Sequence, residues 1–394
     1  MTGNGWRSFE LLPSDVLFFR DGKPSTLGTD HYLRSLFPPF PSTLYGAVRT
    51  RRLLDEGVAL EGLVEANWQG RLDSLTGEVG SWGRFGSLEL RGPWLVRNGE
   101  ALLPAPADLG ITLACALRSK EERPKIAQVV RFRPAGEENG RSWSHPLALL
   151  SPFIFDGQEW QPWTGAEPRT VAGEWFLTTQ GLSAWRQGGT PEPADFVHRT
   201  ELWCDEARTG VGLQKEHRTS EKGRLYTFGF IRLRSGVSLG FDVKGSELQP
   251  GGFVRLGGEG RTASLQAGPA FPAFEGAPAG GRFSLCFATP ALSETGGYPP
   301  GFAADRLEGI LGGRRCRLVG AALSRFVLAG GWDLARQFPK PLRRAIPAGS
   351  VFLFEPLEDA ASSLAGLDGH CFSDFPGEEL ARQGFGLAAA GLSR

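Results

Sequence analysis

Cysteine is scarce and scattered, with five in 394 residues, at 115, 204, 286, 316 and 371, and no CxxC pair. An odd, dispersed set argues against both a disulfide framework and a structural zinc site, so these thiols are expected to be buried. Histidine is equally thin at five residues, none at metal-ligand spacing. Neither a metal nor another cofactor is expected. No run reaches the roughly 18 apolar residues of a membrane span, and Met1 to Trp6 lacks both the basic and the apolar region of a secretory leader. The expectation is a cytoplasmic chain with no membrane contact. A net charge is missing too, since 43 basic residues balance 43 acidic ones. That balance is unfavourable for a chain uniformly coated for nucleic acid. Lysine is the rare cation: only 7 of the 43 are lysine, leaving 36 arginines, whose forks suit bidentate phosphate contact, although a GC-rich genome would give the same bias.

What is abundant is punctuation. With 55 Gly and 28 Pro, the chain reads as many short strands and long connections, α+β and strand-rich, with two domains cut near 205/206. Strands are expected at Ser8 to Phe19, across Ser87 to Leu103 with a turn at Asn98-Gly99, at Leu225 to Val243 turning near Gly236, and again at Gly252 to Leu256, Arg282 to Thr289, Cys316 to Leu328 and Ser350 to Phe354. Residues 118–140 read as an exposed insertion and Trp143 to Trp163 as loops and edge strands. A last helix, Gly377 to Gln383, leads through a glycine loop into a strand at Leu387 to Leu392. Charge is segregated along the chain. Ile310 to Ser350 carries eight cations against one acid, and Val351 to Leu380 holds seven acids and no cation, which suggests one surface for an anion and another for a basic partner.

The most informative segment runs from Ser35 to Thr50, where Pro38, Pro39 and Pro41 lead directly into a helix expected to be capped by Ser42 and to end near Gly57. At about 100° per residue, Leu44, Ala47, Val48, Leu54 and Val58 share an apolar stripe, and Tyr45, Arg49, Arg52 and Glu56 share a second face open to solvent or ligand. Arg51 falls inside the apolar arc, where it must snorkel or find an anion.

With Asp15 to Pro24, Arg208 to Leu213, Gly223 to Thr227, Leu256 to Arg261, Gly330 to Leu334, Pro339 to Ser350 and Gly384 to Gly386, this segment resembles one family from about Phe9 to Leu392. The chain is similar to the RAMP-superfamily subunit of the type III-B CRISPR Cmr module. Between Leu102 and Phe196 the match is by position more than by motif. The resemblance implies two ferredoxin-like RAMP domains with glycine-rich loops and long insertions. It also implies a noncatalytic role in antiviral defence: holding the 5′ tag of the guide RNA (crRNA), docking the large polymerase/cyclase-like subunit, touching a neighbouring backbone RAMP subunit, and meeting target RNA only through the complex.

The candidate contacts follow from charge and resemblance together. Arg20, Lys23, His31 and Arg34 surround the first loop, and Arg49 and Arg52 lie on the helix. Lys215, Arg218 and Arg224 belong to a charged segment that reads alone as a solvated linker and by resemblance as a long reaching loop. Arg261 should project from a hairpin, and Arg336, Lys340, Arg343 and Arg344 form a proline-stiffened basic hook. Gly384 and Gly386 read either as a plain helix C-cap or as bare backbone that a phosphodiester can approach. The Leu256 to Arg261 turn has one carboxylate where two-metal chemistry needs at least two, and Asp30-His31 has the wrong order for a metal-dependent HD site. The alternative activity is a metal-independent RAMP endoribonuclease with His31 as general acid or base on the 2′-hydroxyl. A third possibility is a subunit that contacts only protein, with the acidic Val351 to Leu380 stretch as the protein-facing candidate.

Overall fold

Strand-forming runs set off by glycine and proline dominate. Three α-helices occur among the described residues, Pro41–Asp55, Asp73–Val79 and Thr179–Arg186. The computed structural model describes residues 5–20, 32–58, 73–80, 84–114, 124–134, 150–155, 160–171, 173–213, 220–274, 281–333, 338–358, 364–375 and 378–393. The chain is α+β with strand in large excess, as expected. Two complete β-α-β-β-α-β units contain more helices than this, so the ferredoxin-like pair stays with the resemblance.

Two compact units form, and neither is continuous: residues 1–98, 202–269 and 328–343 make the first, and 99–201, 270–327 and 344–394 the second. A cut at 205/206 does not follow them, because distant segments share sheets. The Arg7–Pro13 strand pairs antiparallel with Val237–Lys244 on one side and Thr262–Ala267 on the other.

In the first unit five antiparallel strands lie in the order Glu89–Arg97, Val237–Lys244, Arg7–Pro13, Thr262–Ala267, Phe253–Arg255. Phe9 and Leu11 of the central strand alternate into the core. Helix α1 (Pro41–Asp55) starts two residues earlier than expected: Phe40 is the N-cap with ψ 147° and Pro41 opens the first turn, so Ser42 does not cap it. The two stripes are also partly exchanged, since Tyr45 and Arg52 are buried whereas Leu54 is exposed. Arg51 finds its anion. Its Nε donates to Asp55 at 2.6 Å, and its Nη1 donates to the carbonyls of Gly251 and Phe253 at 2.9 and 3.1 Å. That contact covers backbone acceptors of the strand that ends the sheet, a place where foreign strands otherwise add.

A three-stranded sheet joins the long hairpin Trp203–Leu213 and Ser220–Leu233 to the short strand Tyr32–Arg34, which runs parallel to the latter. The strand expected from Ser8 to Phe19 is broken after Pro13; Leu17 then exchanges 2.8 Å hydrogen bonds with Ile231, carrying the chain from one sheet to the other. The charged segment expected as a linker or loop is largely this hairpin. The basic hook is likewise a strand: Phe338–Ala345 pairs with Val327–Asp333 in a two-stranded ribbon.

In the second unit a sheet of Glu308–Leu311, Arg314–Ala322, Val351–Pro356, Phe283–Phe287 and Ala388–Leu392 encloses Phe283, Leu285, Phe287, Phe352 and Phe354. Part of the expected exposed insertion is internal, since Ile126–Pro134 pairs with Leu109–Leu113 and Leu150–Phe155 and carries Arg131 at 4% exposure. The terminal helix reduces to a 3-10 turn, Ala381–Gln383. Asn98 and Gly99 have φ of 51° and 81°, the positive pair the expected turn needs.

Candidate nucleic-acid interface

The long hairpin sorts its side chains by period two. Tyr226, Phe228, Phe230 and Arg232 share one face, registered against Gly210, Arg208, Glu206 and Cys204. Phe18 packs edge-on to Phe228, at 4.9 Å between centroids, and lies 5.4 Å from Phe230. Phe18 and Phe230 are buried, and Tyr226 and Phe228 are half-buried.

Above these rings sits an ionic cluster. Arg208 donates to Glu206 at 2.8 Å and to Asp15 at 3.0 Å; Arg232 donates to Glu206 and, at 3.0 Å, to Asp15; Arg261 reaches Asp15 at 3.4 Å. The guanidinium carbons of Arg208 and Arg261 lie 5.3 and 4.7 Å from the centre of the Phe230 ring. Burial would raise the Asp15 carboxyl, but the hydrogen bonds from Arg208 and Arg232 outweigh it and hold Asp15 below its ordinary range. Hydrogen bonds from Arg232 and then Arg208 lower Glu206 in the same way. Three guanidiniums against two carboxylates leave one net positive charge, organised before any ligand arrives. Arg261 therefore does not project as expected; it lies across Phe230.

Helix α1 contributes differently. Arg52 is only 6% exposed and bonds Glu78 and Glu56, so it is a structural cation rather than part of a ligand face. Arg49 keeps a buried Nε without a hydrogen-bond partner. Desolvation pushes its pKa down, opposed by Tyr45 and Asp333. Such a guanidinium is the kind of group that gains from an incoming anion.

The ribbon is the most exposed part of the set. Phe338, Lys340, Leu342 and Arg344 occupy alternate positions of one strand and are all exposed, with Phe338 at 67%; Trp332 on the paired strand is 53% exposed. Arg343 is half-buried, and Arg344 lies 4.9 Å from the centre of the exposed Phe326 ring.

Arg20 and Arg34 are exposed, Arg20 bridging Ser35 and Arg34 lying 5.7 Å from the Tyr32 ring. Lys23, His31, Lys215, Arg218 and Arg336 lie outside the described residues, and Arg224 is described only by its backbone, within Ser220–Leu233. The structure thus groups Arg261 with Arg208, Arg232, Asp15 and Glu206, a constellation sequence reasoning missed. The alternation from Tyr226 to Arg232 was its visible signal.

The glycine loop is closed off. Gly384 has φ 99° and takes the C-cap, and its carbonyl accepts from the Thr289 hydroxyl at 2.6 Å. The Gly386 N–H donates to Pro290 at 2.9 Å, and its carbonyl accepts from Phe372 N–H at 2.8 Å. With φ 71°, a Cβ on Gly386 would stand 1.9 Å from the Phe372 carbonyl oxygen. Both glycines are buried with these groups already used. Gly386→Ala is expected to lower the thermal midpoint of the free protein sharply, whatever it does to RNA; an unchanged midpoint would return the loop to the list of ligand contacts.

Folding pairs some of the segregated charges. Glu355 pairs with Arg282, Glu358 with Arg315, Asp368 with Arg186 and Glu379 with Arg382, while Arg317 pairs with Glu308. Asp368 is buried in its pair, whereas Glu355, Glu358 and Glu379 stay 38%, 58% and 55% exposed, so the Val351 to Leu380 stretch keeps exposed carboxylates. Among the described residues no group of three His, Cys, Asp or Glu could hold a metal, and no helix is long and apolar enough to cross a membrane.

Comparison with solved structures finds similar chains at low identity. One belongs to a cryo-EM structure of the Type III-B Cmr-beta bound to cognate target RNA, with 15% identity, 88% of this chain and 86% of that chain covered, and a TM-score of 0.45. Another belongs to the Csm3–Csm4 subcomplex of the type III-A CRISPR-Cas interference complex, with 9% identity, 88% and 92% covered, and a TM-score of 0.36. No curated protein matches. The profile of one family, CRISPR-associated protein (Cas_Cmr3), matches residues 9–393. Because that match runs through both units, the chain belongs to the Cas_Cmr3 family of CRISPR-associated proteins and is a Cmr module subunit.

Proposed function

We propose that this subunit is a noncatalytic clamp for the 5′ tag of the guide RNA, built on two ferredoxin-like RAMP domains and working in the cytoplasm. The observation that carries the reading is the exposed ribbon, where Phe338, Lys340, Leu342 and Arg344 alternate on one strand. Apolar and aromatic groups interleaved with cations in water suit an unpaired strand, offering ring faces to bases and charge to phosphates. Arg49, with a buried and unsatisfied Nε, supplies a second anion-seeking group in the first unit. The arginines over Phe230 are held in place by Asp15 and Glu206, so little ordering is needed when RNA binds. In the same reading the subunit docks the large polymerase/cyclase-like subunit and the first backbone RAMP subunit, and meets target RNA only through the assembly.

The rival reading is metal-independent cleavage of precursor guide RNA. Incubating the purified chain with repeat RNA in EDTA distinguishes the two. The clamp reading expects tag-dependent binding and intact RNA; specific cleavage abolished by His31→Ala would replace it with the endoribonuclease.

A further inference from the structure

We infer that Tyr32 and Arg34 form a stacking platform for a single unpaired RNA base and its phosphate, on the sheet face opposite the Phe230 cluster. This rests on the RNA-binding reading and adds a contact that neither the ribbon nor helix α1 provides.

The short strand Tyr32–Arg34 lies parallel to Ser220–Leu233, with Tyr32 registered on Thr227 and Arg34 on Gly229. A Cβ on Gly229 would stand 2.7 Å from the Tyr32 hydroxyl oxygen and 3.2 Å from its Cζ. The glycine is thus where the phenol ring leans across the sheet, and any larger residue would lift it. The hydroxyl end of the ring lies over this glycine, and Tyr32 is 45% exposed. A ring already held against a strand gives up little freedom when a base covers it.

Its neighbours complete a nucleotide-sized surface. The guanidinium carbon of Arg34 is 5.7 Å from the Tyr32 ring centroid, and the residue is exposed, within reach of the phosphate attached to a stacked base. On the same face the hydroxyls of Thr209 and Thr227 lie 3.2 Å apart in an exposed pair, a donor and acceptor for a base edge or a 2′-hydroxyl. Also on this face, Asp205 is registered on Ile231, two positions beyond Gly229. A cation, a ring and paired hydroxyls, with Val211 of the same face 42% exposed at the edge, favour RNA over a protein anchor as occupant.

The test uses the full chain with guide RNA carrying 2-aminopurine at successive unpaired positions. One position is expected to be quenched on binding. Tyr32→Ala should remove that quench and weaken binding about tenfold, Tyr32→Phe should preserve both, and Gly229→Ala should abolish the quench by lifting the ring. Arg34→Gln should lower the salt dependence by about one phosphate contact. If wild-type protein binds and Tyr32→Ala matches it in quench and affinity, the platform is overturned while the RNA reading stands. If wild-type protein binds no guide RNA, alone or in the assembled particle, both fall.

Discussion

Asp368→Ala is expected to destabilise the free protein by about 3–5 kcal/mol, the cost of leaving a buried charge without its partner. Asp368 Oδ1 accepts from Arg186 at 2.6 Å and from the Ala390 N–H at 2.9 Å, and Oδ2 accepts from the Phe274 N–H at 2.9 Å. The paired side chains are 3% and 5% exposed. Burial pushes the Arg186 pKa down and Asp368 opposes it; without the carboxylate, water cannot replace it. The loss is a large part of the roughly 5–15 kcal/mol that holds a domain folded. Asp368→Asn, which keeps one acceptor but no charge, should fall between wild type and Ala. Urea unfolding measures this as a lowered midpoint at constant m-value. A loss below about 1 kcal/mol would mean that the pair behaves as a solvated surface pair rather than a buried one.

The second large effect concerns the ribbon. Lys340→Ala and Arg344→Ala remove exposed cations from alternate positions of one strand. Each should weaken guide binding on the order of tenfold, the worth of a charge-assisted hydrogen bond. Each should also flatten the plot of log affinity against log salt by about 0.7, the single-strand value per phosphate. Arg343 is half-buried, so its replacement mixes folding with binding and is the poorer probe. An unchanged salt slope in both variants would remove the ribbon from the RNA path even if affinity fell, because lost packing does not release counterions.

How far the residues alone carry depends on whether a contact is local. Asn98-Gly99, the Gly384 C-cap and the Gly236 turn were legible because positive φ is a property of one or two residues. Arg51 was legible as a misplaced cation, though its acceptors, the carbonyls of Gly251 and Phe253, lie 200 and 202 residues away in sequence. Arg52 could not be read: its place on the polar stripe says nothing of Glu78 arriving from a second helix. The two units escaped for the same reason, since Phe9 pairs with Phe241 and Ala267 and no local pattern encodes that closure. Blocks of charge say nothing of pairing, since Glu358 and Arg315 sit far apart in sequence yet 3.7 Å apart in space. The constellation around Asp15 spans Asp15, Glu206, Arg232 and Arg261; the alternating face of the hairpin hints at half of it, and only folding supplies the rest.

The most direct test of the clamp is to assemble the Cmr particle on guide RNA bearing photoreactive nucleotides in its 5′ tag, irradiate it, and map the crosslinked peptides. The account predicts label on this chain, in the Phe338–Ala345 strand or the Tyr32–Arg34 strand. Tag label found wholly on other subunits, with none on this chain, would contradict it.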